Sequence, residues 1–464
     1  MSFIELIQSL GTNIWIYGGA FVLVLGVLVF VHEWGHYIVA RLCGVKVEEF
    51  SIGFGYELFG FFDHNGTRWK VALIPLGGFV KLFGDADPAS AKHTDTVEDG
   101  KTHALRPMTD DERKQAFFAK PVWQRAAVVL AGPAINYIFA IVLMACLFTL
   151  NGQPVTPPIA AAIVAGSSAE KAGFKTHDRV VSIDGREISS FEDIRREMLI
   201  SLDTERHFVV ERGGETLDIV ARPERVEQQD RFGFKHSKGL LGLISPRQAL
   251  DVKAIKKIGV MAVNTPEQAR KLLLEKMGQV FQVTVESEGK TDSFIVNPLA
   301  TMNDGLLDPE DPRFDALIVA RTDPNMFLHY SPIEALGHAV SEAGVVTMGT
   351  LEALGQIVVG TRSTTELGGV IRIGALAGDM AQQGVVALVL FTALLSINLG
   401  LINLFPIPML DGGHLLFYAV EAVLGRPIPD RIQEYAFRFG LAFLVGIMAF
   451  ANLNDIMQLI LQRV

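Results

Sequence analysis

The chain is poor in cysteine and lacks an excess of positive charge. Its 464 residues include only two cysteines, Cys43 and Cys146, and the formal net charge is −10 at pH 7. Two cysteines in or beside apolar segments provide no disulfide framework, so soluble parts of the chain need ordinary hydrophobic cores. Nucleic-acid binding requires clustered Lys and Arg, which no segment supplies. Nucleic acid is therefore excluded as an expected partner.

The N-terminus also lacks the features of a cleavable signal peptide. Residues 1–13 contain neither Lys nor Arg, whereas a signal peptide begins with a basic region. We expect the first apolar run to remain in the mature protein.

Long apolar runs are what the chain has in abundance. Hydrophobic residues make up 49% of it, and the mean hydropathy is +0.32, which exceeds the norm for a soluble protein but leaves room for soluble domains. Four runs are long enough to span a lipid bilayer. The sequence predicts a polytopic α-helical membrane protein with about four transmembrane segments, at residues 1–42, 122–150, 385–412 and 436–461.

The distribution of basic residues predicts the topology. Lys and Arg are frequent between the first two spans and absent from residues 1–13. Because basic loops stay on the cytoplasmic side, we expect residues 43–121 in the cytoplasm and the long segment of about residues 151–384 outside.

The first span contains the pattern HExxH, as His32-Glu33-Trp34-Gly35-His36. Histidines four residues apart lie on one helix face within reach of one metal ion, and the adjacent glutamate can take a proton from metal-bound water. Placing an ionisable group at bilayer depth costs free energy, so its presence there indicates a function that needs polar side chains. The pattern predicts a metal site inside the membrane.

A zinc site of this kind needs a third protein ligand, and the best candidate is Asp411. Pro406 and Pro408 break the third span just before it, and Gly412-Gly413 let the backbone turn. For Asp411 alone, a helix-capping or turn role is an equal alternative, and the HExxH pattern favours ligation. We interpret His414, beyond this turn, as structural.

The segment outside the membrane contains a repeated β-rich pattern. From Ala160 short β-rich runs, a helix start and an Asp-Gly turn alternate, and this resembles a PDZ domain of the bacterial protease type, at residues 155–225. Residues Phe208–Pro223 align without a gap with Val283–Pro298, an offset of 75. We predict a second, atypical PDZ-like domain at residues 240–298, whose front lacks counterparts of the first copy's AEKAG and SIDG. A chance similarity of two β-α-β units is the alternative.

Two further segments receive coarser predictions. Val47–Gly55 and Trp69–Lys81 are β-rich and partly apolar, which predicts a hairpin-like sheet that dips into the membrane interface beside the metal. An edge strand there would satisfy the backbone groups that an unwound peptide exposes. Residues 299–384 are interpreted as a linker followed by membrane-associated helices.

The order of these motifs resembles the site-2 protease family of intramembrane zinc metalloproteases, in its bacterial RseP-type branch. The resemblance rests on HEWGH, Ala131-Gly-Pro-Ala-Ile-Asn136, the PDZ-like sequence, Ser396-Ile-Asn-Leu-Gly400 and the LDGG run. It implies Zn²⁺ held by His32, His36 and Asp411, with Glu33 as the general base. It also implies that Asn398 and Asn403 hold an unwound substrate segment. One departure is that Val370 and Arg372 replace the usual Pro and Gly of a family motif.

The expected function is regulated intramembrane proteolysis in a bacterial inner membrane, in response to stress. The implied substrates are single-span membrane proteins: an anti-sigma factor trimmed by an earlier protease, and remnants of signal peptides. The PDZ domains would lie in the periplasm and act as a size filter, with the active site toward the cytoplasm. The alternatives are a non-catalytic PDZ membrane adaptor, which has no need for Glu33, and a metal transporter, which needs no external PDZ domains.

Overall fold

A computed structural model of the chain describes residues 3–85, 96–98, 105–229, 234–287, 289–311, 313–320 and 327–461. Parts of the predicted loop at residues 43–121 and of the predicted segment at residues 299–384 therefore lie outside the described residues. Four helices are long and apolar enough to cross a membrane: Trp15–Leu42, Val122–Leu150, Val385–Asn403 and Arg431–Gln458. The prediction of a polytopic helical membrane protein with four spans is confirmed at this level.

The described residues form eleven α-helices and twenty β-strands. The helices are α1 (Phe3–Leu42), α2 (Asp110–Gln115), α3 (Val122–Leu150), α4 (Ser168–Ala172), α5 (Phe191–Ile200), α6 (Pro266–Glu275), α7 (Pro332–Val359), α8 (Val370–Gln383), α9 (Val385–Asn403), α10 (Asp411–Leu424) and α11 (Asp430–Leu461). The strands are β1 (Val47–Phe62), β2 (Arg68–Leu82), β3 (Thr96–Glu98), β4 (Leu105–Pro107), β5 (Gln153–Pro154), β6 (Ala162–Val164), β7 (Arg179–Ile183), β8 (Arg186–Glu187), β9 (Arg206–Arg212), β10 (Glu215–Ala221), β11 (Glu224–Gln229), β12 (Lys235–Leu240), β13 (Leu243–Ile244), β14 (Ala249–Asp251), β15 (Ile255–Ile258), β16 (Met261–Ala262), β17 (Phe281–Ser287), β18 (Lys290–Val296), β19 (Ala316–Ile318) and β20 (Phe327–Leu328).

Helix α3 lies at the centre of the apolar helices and contacts α1, α7, α9 and α10. Its approach to α1 is close because Gly35 has no side chain: a Cβ there would lie 2.6 Å from Cγ2 of Ile135. On another face α3 packs against α7 and α9 through small and apolar side chains: Ala140, Met144, Phe148, Ala335, Ala339, Ala343, Ala393 and Ile397. Small residues of this kind let membrane helices pack closely.

The third apolar helix ends earlier than the predicted segment of residues 385–412. Helix α9 stops at Asn403, and α10 begins at Asp411. Pro406 and Pro408 lie in the non-helical stretch between them, where proline cannot continue a helix. The chain therefore breaks where the prolines predict a break.

Helix α11 caps the start of α8, at the atypical Gly-Gly-Val-Ile-Arg sequence. The backbone N–H groups of Gly369 and Arg372 donate to Oδ2 of Asp455 at 2.9 and 3.1 Å, and that of Val370 donates to Oδ1 of Asn452. A Cβ on Gly369 would lie 2.7 Å from that amide oxygen. Side chains of α11 thus satisfy the free N–H groups at the start of α8.

Strands β1 and β2 form an antiparallel hairpin that folds back on itself. Glu49 is opposite both Lys81 and Arg68, so the two long strands make four sheet segments. The segment at residues 78–82 lies at one edge, and the segment at residues 57–62 lies at the other. The hairpin contacts α1 and brings its first edge next to HEWGH.

The repeat predicted from the sequence is visible in the secondary structure. Helices α5 and α6, strands β9 and β17, and strands β10 and β18 each begin and end 75 residues apart. The expectation that the second copy has no counterpart of SIDG is wrong. Ile258 pairs with Met261 across Gly259-Val260, as Ile183 pairs with Arg186 across Asp184-Gly185. Gly259 adopts φ +60°, so a turn forms there without the Asp-Gly signal.

The two copies share one strand, β6. One sheet has the order β10-β9-β7-β8, and the other has the order β13-β6-β18-β17-β15-β16. Although β6 belongs to the first copy by sequence, it lies in the sheet of the second. Ala162 is buried in the core of the second copy and its neighbour Ile163 in the core of the first. The alternation of side chains along one strand therefore links both cores.

Helix α7 connects the first copy to the apolar helices. Arg196 pairs with Glu342 at 2.7 Å, and Arg206 pairs with Glu352 at 3.0 Å. The buried side chains of α7 are Ala335, Ala339 and Ala343, which pack on α3 and α9.

Candidate metal centre

Two helices bring the three predicted metal ligands together. His32 and His36 lie one turn apart on α1, and Asp411 is the first residue of α10. The two Nε2 atoms are 3.3 Å apart, and they lie 3.2 and 3.6 Å from Oδ2 of Asp411. In the described part of the chain, these residues form the one group of three whose donor atoms all lie within 4.8 Å of one another.

The spacing and chemistry of these donors fit zinc. Tetrahedral zinc with bonds of about 2.0–2.1 Å to imidazole nitrogen holds its nitrogen ligands about 3.3–3.4 Å apart, and the observed separation is 3.3 Å. Oδ2 of Asp411 is buried and makes no hydrogen bond within the described residues, even though Nε2 of His32 is 3.2 Å away. A buried carboxylate oxygen without a partner is costly unless a cation binds it.

The other ring nitrogens of both histidines contact α3. Nδ1 of His36 lies 2.9 Å from the carbonyl oxygen of Val128, and Nδ1 of His32 lies 3.0 Å from Nδ2 of Asn136, whose Oδ1 has no partner in the described residues. Nδ1–H of His36 can donate to the Val128 carbonyl, which leaves Nε2 its lone pair for a metal. His32 gains the same arrangement when the Asn136 amide is turned so that its Oδ1 accepts from Nδ1–H. Asn136 also accepts a hydrogen bond from Ser396 of α9 through its backbone carbonyl, at 2.8 Å.

Sequence reasoning did not assign Asn136 to the site. The signal that could have found it is a polar amide in an apolar span, within the AGPAIN motif. Gly132 of the same motif has a related role, because a Cβ there would lie 2.5 Å from Cε1 of His36 and 2.9 Å from Cε1 of His32. The imidazoles occupy the space that any larger residue at position 132 would need.

Five of the six predicted site residues line one cavity of about 620 Å³: His32, Glu33, His36, Asn403 and Asp411. Glu33 is 9% exposed. Its neighbour across the cavity wall is Gly78 of β2, where a Cβ would lie 3.0 Å from Cγ of Glu33. The edge segment of β2 therefore runs directly beside the glutamate.

Asn398 is the predicted site residue that does not line this cavity. Oδ1 of Asn398 accepts a hydrogen bond from Thr350 of α7 at 2.9 Å.

His414 also lines the cavity, and from the sequence it is interpreted as structural. Its ring centroid is 4.9 Å from that of Phe437. His414 does not belong to the three-residue donor group.

A cluster of hydrogen bonds holds the turn of the hairpin to α1. Asp63 accepts from Tyr37 at 2.9 Å and from Nε1 of Trp69 at 3.1 Å, in addition to the backbone N–H groups of Asn65 and Thr67. Burial alone would raise the pKa of Asp63, but these hydrogen bonds outweigh it and lower the pKa to about 2. The carboxylate therefore stays ionised and keeps the hairpin fixed against α1.

Four membrane-length helices and an HExxH pattern completed by a distant aspartate define a membrane metalloprotease. The chain belongs to peptidase family M50, whose sequence profile matches residues 20–447. This is the site-2 protease family, and its metal is zinc. The chain is accordingly a zinc metalloprotease, and the resemblance inferred from the motifs is confirmed.

The relatives cover nearly the whole chain. It is 38% identical to a predicted zinc metalloprotease of Agrobacterium fabrum over 440 residues, which are 95% of each chain. It is 35% identical to a predicted zinc metalloprotease of Rhizobium meliloti, across 94% of this chain and 95% of the relative. The regulator of sigma E protease of Haemophilus influenzae is 32% identical over 472 residues, across 95% of this chain and 98% of the relative. These relatives favour a protease over the adaptor and transporter alternatives.

Proposed function

We propose that this zinc metalloprotease hydrolyses a peptide bond of its substrates within the membrane. The observation that carries the proposal is the placement of the donor group. His32 and His36 lie on a helix of membrane-spanning composition, and Asp411 meets them from α10, with Glu33 beside them in one cavity. Such groups are costly in an apolar span unless they perform a function there.

The ligand and base roles follow from the chemistry of the donors. His32, His36 and Asp411 would hold the zinc, which when bound would polarise the scissile carbonyl and make the attacking water more acidic. Glu33 takes one proton from the attacking water as the water oxygen bonds to the scissile carbonyl carbon, and it delivers that proton to the leaving nitrogen when the C–N bond breaks. Val128 and Asn136 hold the imidazoles so that Nε2 of each faces the metal.

The edge of β2 gives the substrate a place to unwind. A helical peptide hides its carbonyl groups, so cleavage requires a local extended segment whose freed backbone groups find partners. In the described structure the segment at residues 78–82 pairs with β1 on one side only, and it lies beside Glu33. We infer that the substrate adds to this edge as a further strand, with the hairpin dipping into the membrane interface.

The two asparagines of α9 are proposed to hold the unwound segment. Asn403 lines the cavity, so its amide can bond a substrate carbonyl or N–H directly. Asn398 bonds to Thr350, so it reaches the substrate only when that hydrogen bond is exchanged.

The proposed substrates are single-span membrane proteins that an earlier protease has trimmed, such as an anti-sigma factor, together with remnants of signal peptides. A relative named regulator of sigma E protease supports this substrate class. The excess of Lys and Arg between the first two spans supports an orientation with residues 43–121 in the cytoplasm. In a bacterial inner membrane, the two repeated copies would then lie in the periplasm.

We further propose that these copies are PDZ domains that act as a size filter. The first copy contacts α7 through Arg196 and Arg206. This contact supports a position of the two copies beside the apolar helices, where a bulky external domain of a substrate would collide with them. Deleting residues 160–298 removes both copies together, which avoids leaving one sheet without the shared strand β6. We expect the deletion variant to cut untrimmed substrates. If it still leaves them uncut, the proposal that the two copies act as a size filter is wrong.

Mapping the cut tests the proposed activity. Purified protein is incubated in detergent with a test substrate that has one membrane span, and the termini of both products are identified by mass spectrometry. The proposal expects the new termini within the apolar span. Termini confined to the soluble flanks of the substrate would show that the protein is not an intramembrane protease.

A further inference from the structure

Helix α10 presents Asp411 from its first turn, directly after the non-helical stretch that follows α9. The position of this carboxylate depends on how the body of α10 is held. At the start of the helix Gly413 packs on backbone, since a Cβ there would lie 2.5 Å from the carbonyl oxygen of Ile407. Farther along, Leu415 and Tyr418 pack on the apolar cluster that includes Val128 and Val129. Apolar packing is non-directional, so it does not by itself fix the rotation of α10.

A buried ion pair supplies a directional contact at the far end of the helix. Nη2 of Arg125, in the first turn of α3, lies 2.6 Å from Oε1 of Glu421 in α10. The two side chains are only 12% and 14% exposed. Nε of Arg125 also donates to the carbonyl oxygen of Lys120 at 3.1 Å, and the guanidinium lies over the ring of Tyr418. Arg125 is therefore itself held in one place, and it can act as a fixed point for α10.

The position of Glu421 along the helix makes this contact effective. Glu421 follows Asp411 by ten residues, which corresponds to about 15 Å along the helix axis and about 80° around it. A carboxylate about 5 Å from the axis moves by about 2 Å when the helix rotates by about 20°. That displacement is as large as a zinc–oxygen bond, so small rotations of α10 would break the ligand set.

We propose that Arg125 and Glu421 form a positioning pair, which fixes the rotation of α10 and thereby holds Asp411 within reach of the metal that His32 and His36 bind. The inference rests on the ligand roles in the proposed function. Neither member touches Asp411 or the histidines. The pair joins residues 296 positions apart in the sequence, and it lines the same cavity as the donor group.

The test measures the metal site directly, without activity. Wild type, Arg125→Gln, Arg125→Lys, Glu421→Gln and the exchange variant Arg125→Glu with Glu421→Arg are purified in detergent. Zinc release to a chromogenic chelator is timed, and the visible absorption of the cobalt-substituted proteins is recorded. We expect zinc release to accelerate by about 10-fold or more in the Gln variants, in line with the cost of losing groups that orient metal ligands. We expect Arg125→Lys, which keeps the charge, and the exchange variant to recover part of this loss.

An exposed ion pair is the matched control. Arg438 and Glu434 pair at 2.7 Å on α11 and are 70% and 39% exposed, so neutralising them should leave zinc release and the cobalt spectrum unchanged. The inference is overturned if the Arg125 and Glu421 variants lower the unfolding temperature but release zinc at the wild-type rate. It is also overturned if the control pair changes zinc release equally. A wild-type protein that binds no zinc would instead contradict the proposed function itself. If the Gln variants do not fold, Arg125→Lys and the exchange variant decide the question by the same two measurements.

Discussion

A single methyl group added at Gly132 should displace the imidazole rings of His32 and His36 from their positions for metal binding. A Cβ there would lie 2.5 Å from Cε1 of His36 and 2.9 Å from Cε1 of His32, whereas carbon atoms in contact are about 3.5–4.0 Å apart. In Gly132→Ala the His36 ring must therefore move by about 1 Å. A displacement of about 1 Å in a catalytic group can cost about 100-fold in rate. Disturbing the surroundings of metal ligands costs about 10–100-fold in metal affinity.

We expect Gly132→Ala to lose zinc affinity by about 10-fold or more and cleavage of a single-span substrate by about 100-fold. Zinc affinity is measured by competition with a chelator, and cleavage is followed by gel electrophoresis at saturating zinc. Gly26→Ala on α1 is the control. Apart from the adjacent helix backbone, no atom of the described residues lies within 4 Å of a Cβ built there, and alanine is about 1 kcal/mol more favourable than glycine within a helix. Gly400→Ala also crowds α3, with a Cβ 3.0 Å from the carbonyl oxygen of Pro133 and no imidazole atom among its three nearest neighbours, and it should keep its zinc.

A Gly132→Ala protein with wild-type zinc affinity and activity would refute this reasoning. Equal loss of zinc in Gly400→Ala would show that general packing of α3, and not the space beside the imidazoles, governs the metal site.

Three further changes separate metal binding from substrate binding. Asp411→Asn should abolish zinc binding and cleavage together, because the amide carries no charge for the metal; full zinc content measured by mass spectrometry would point to a different third ligand. Asn136→Ala should weaken zinc binding by about 10–100-fold and leave the unfolding temperature of the zinc-free protein nearly unchanged, and an unaltered zinc affinity would remove Asn136 from the metal centre. Gly78→Ala places a Cβ 2.6 Å from the carbonyl oxygen of Ser51 and distorts the edge of β2; cleavage should fall while zinc content stays at the wild-type level, and undiminished cleavage would argue against strand addition at this edge.

Features with a local physical cause could be predicted from the sequence. The four spans follow from length and apolar composition, the break before Asp411 follows from Pro406 and Pro408, and the facing histidines follow from the period of the helix. The identity of Asp411 as the third member of the donor group needed one inference between segments 375 residues apart. The broken apolar helix offered the candidate carboxylate, and the HExxH pattern favoured ligation over a capping role.

Features that depend on distant contacts could not be predicted. Nothing in the sequence of β1 indicates that Glu49 pairs with two segments of β2, because a strand pattern does not specify how a hairpin bends. The shared strand β6 escaped prediction for a similar reason, since the alternation of Ala162 and Ile163 is the same whichever core each residue enters. The pairs Thr350–Asn398 and Arg125–Glu421 each join two helices far apart in the sequence, and a single sequence gives no register between helices.

The most direct measurement combines zinc content with peptide-bond cleavage in wild type and Glu33→Gln. Because Glu33 is buried beside the donor group but is not one of its members, the account predicts one zinc ion per chain in both proteins. It predicts cleavage of a single-span substrate in wild type and none in the variant. Undiminished cleavage by Glu33→Gln, or an active wild-type protein without zinc, would contradict the account.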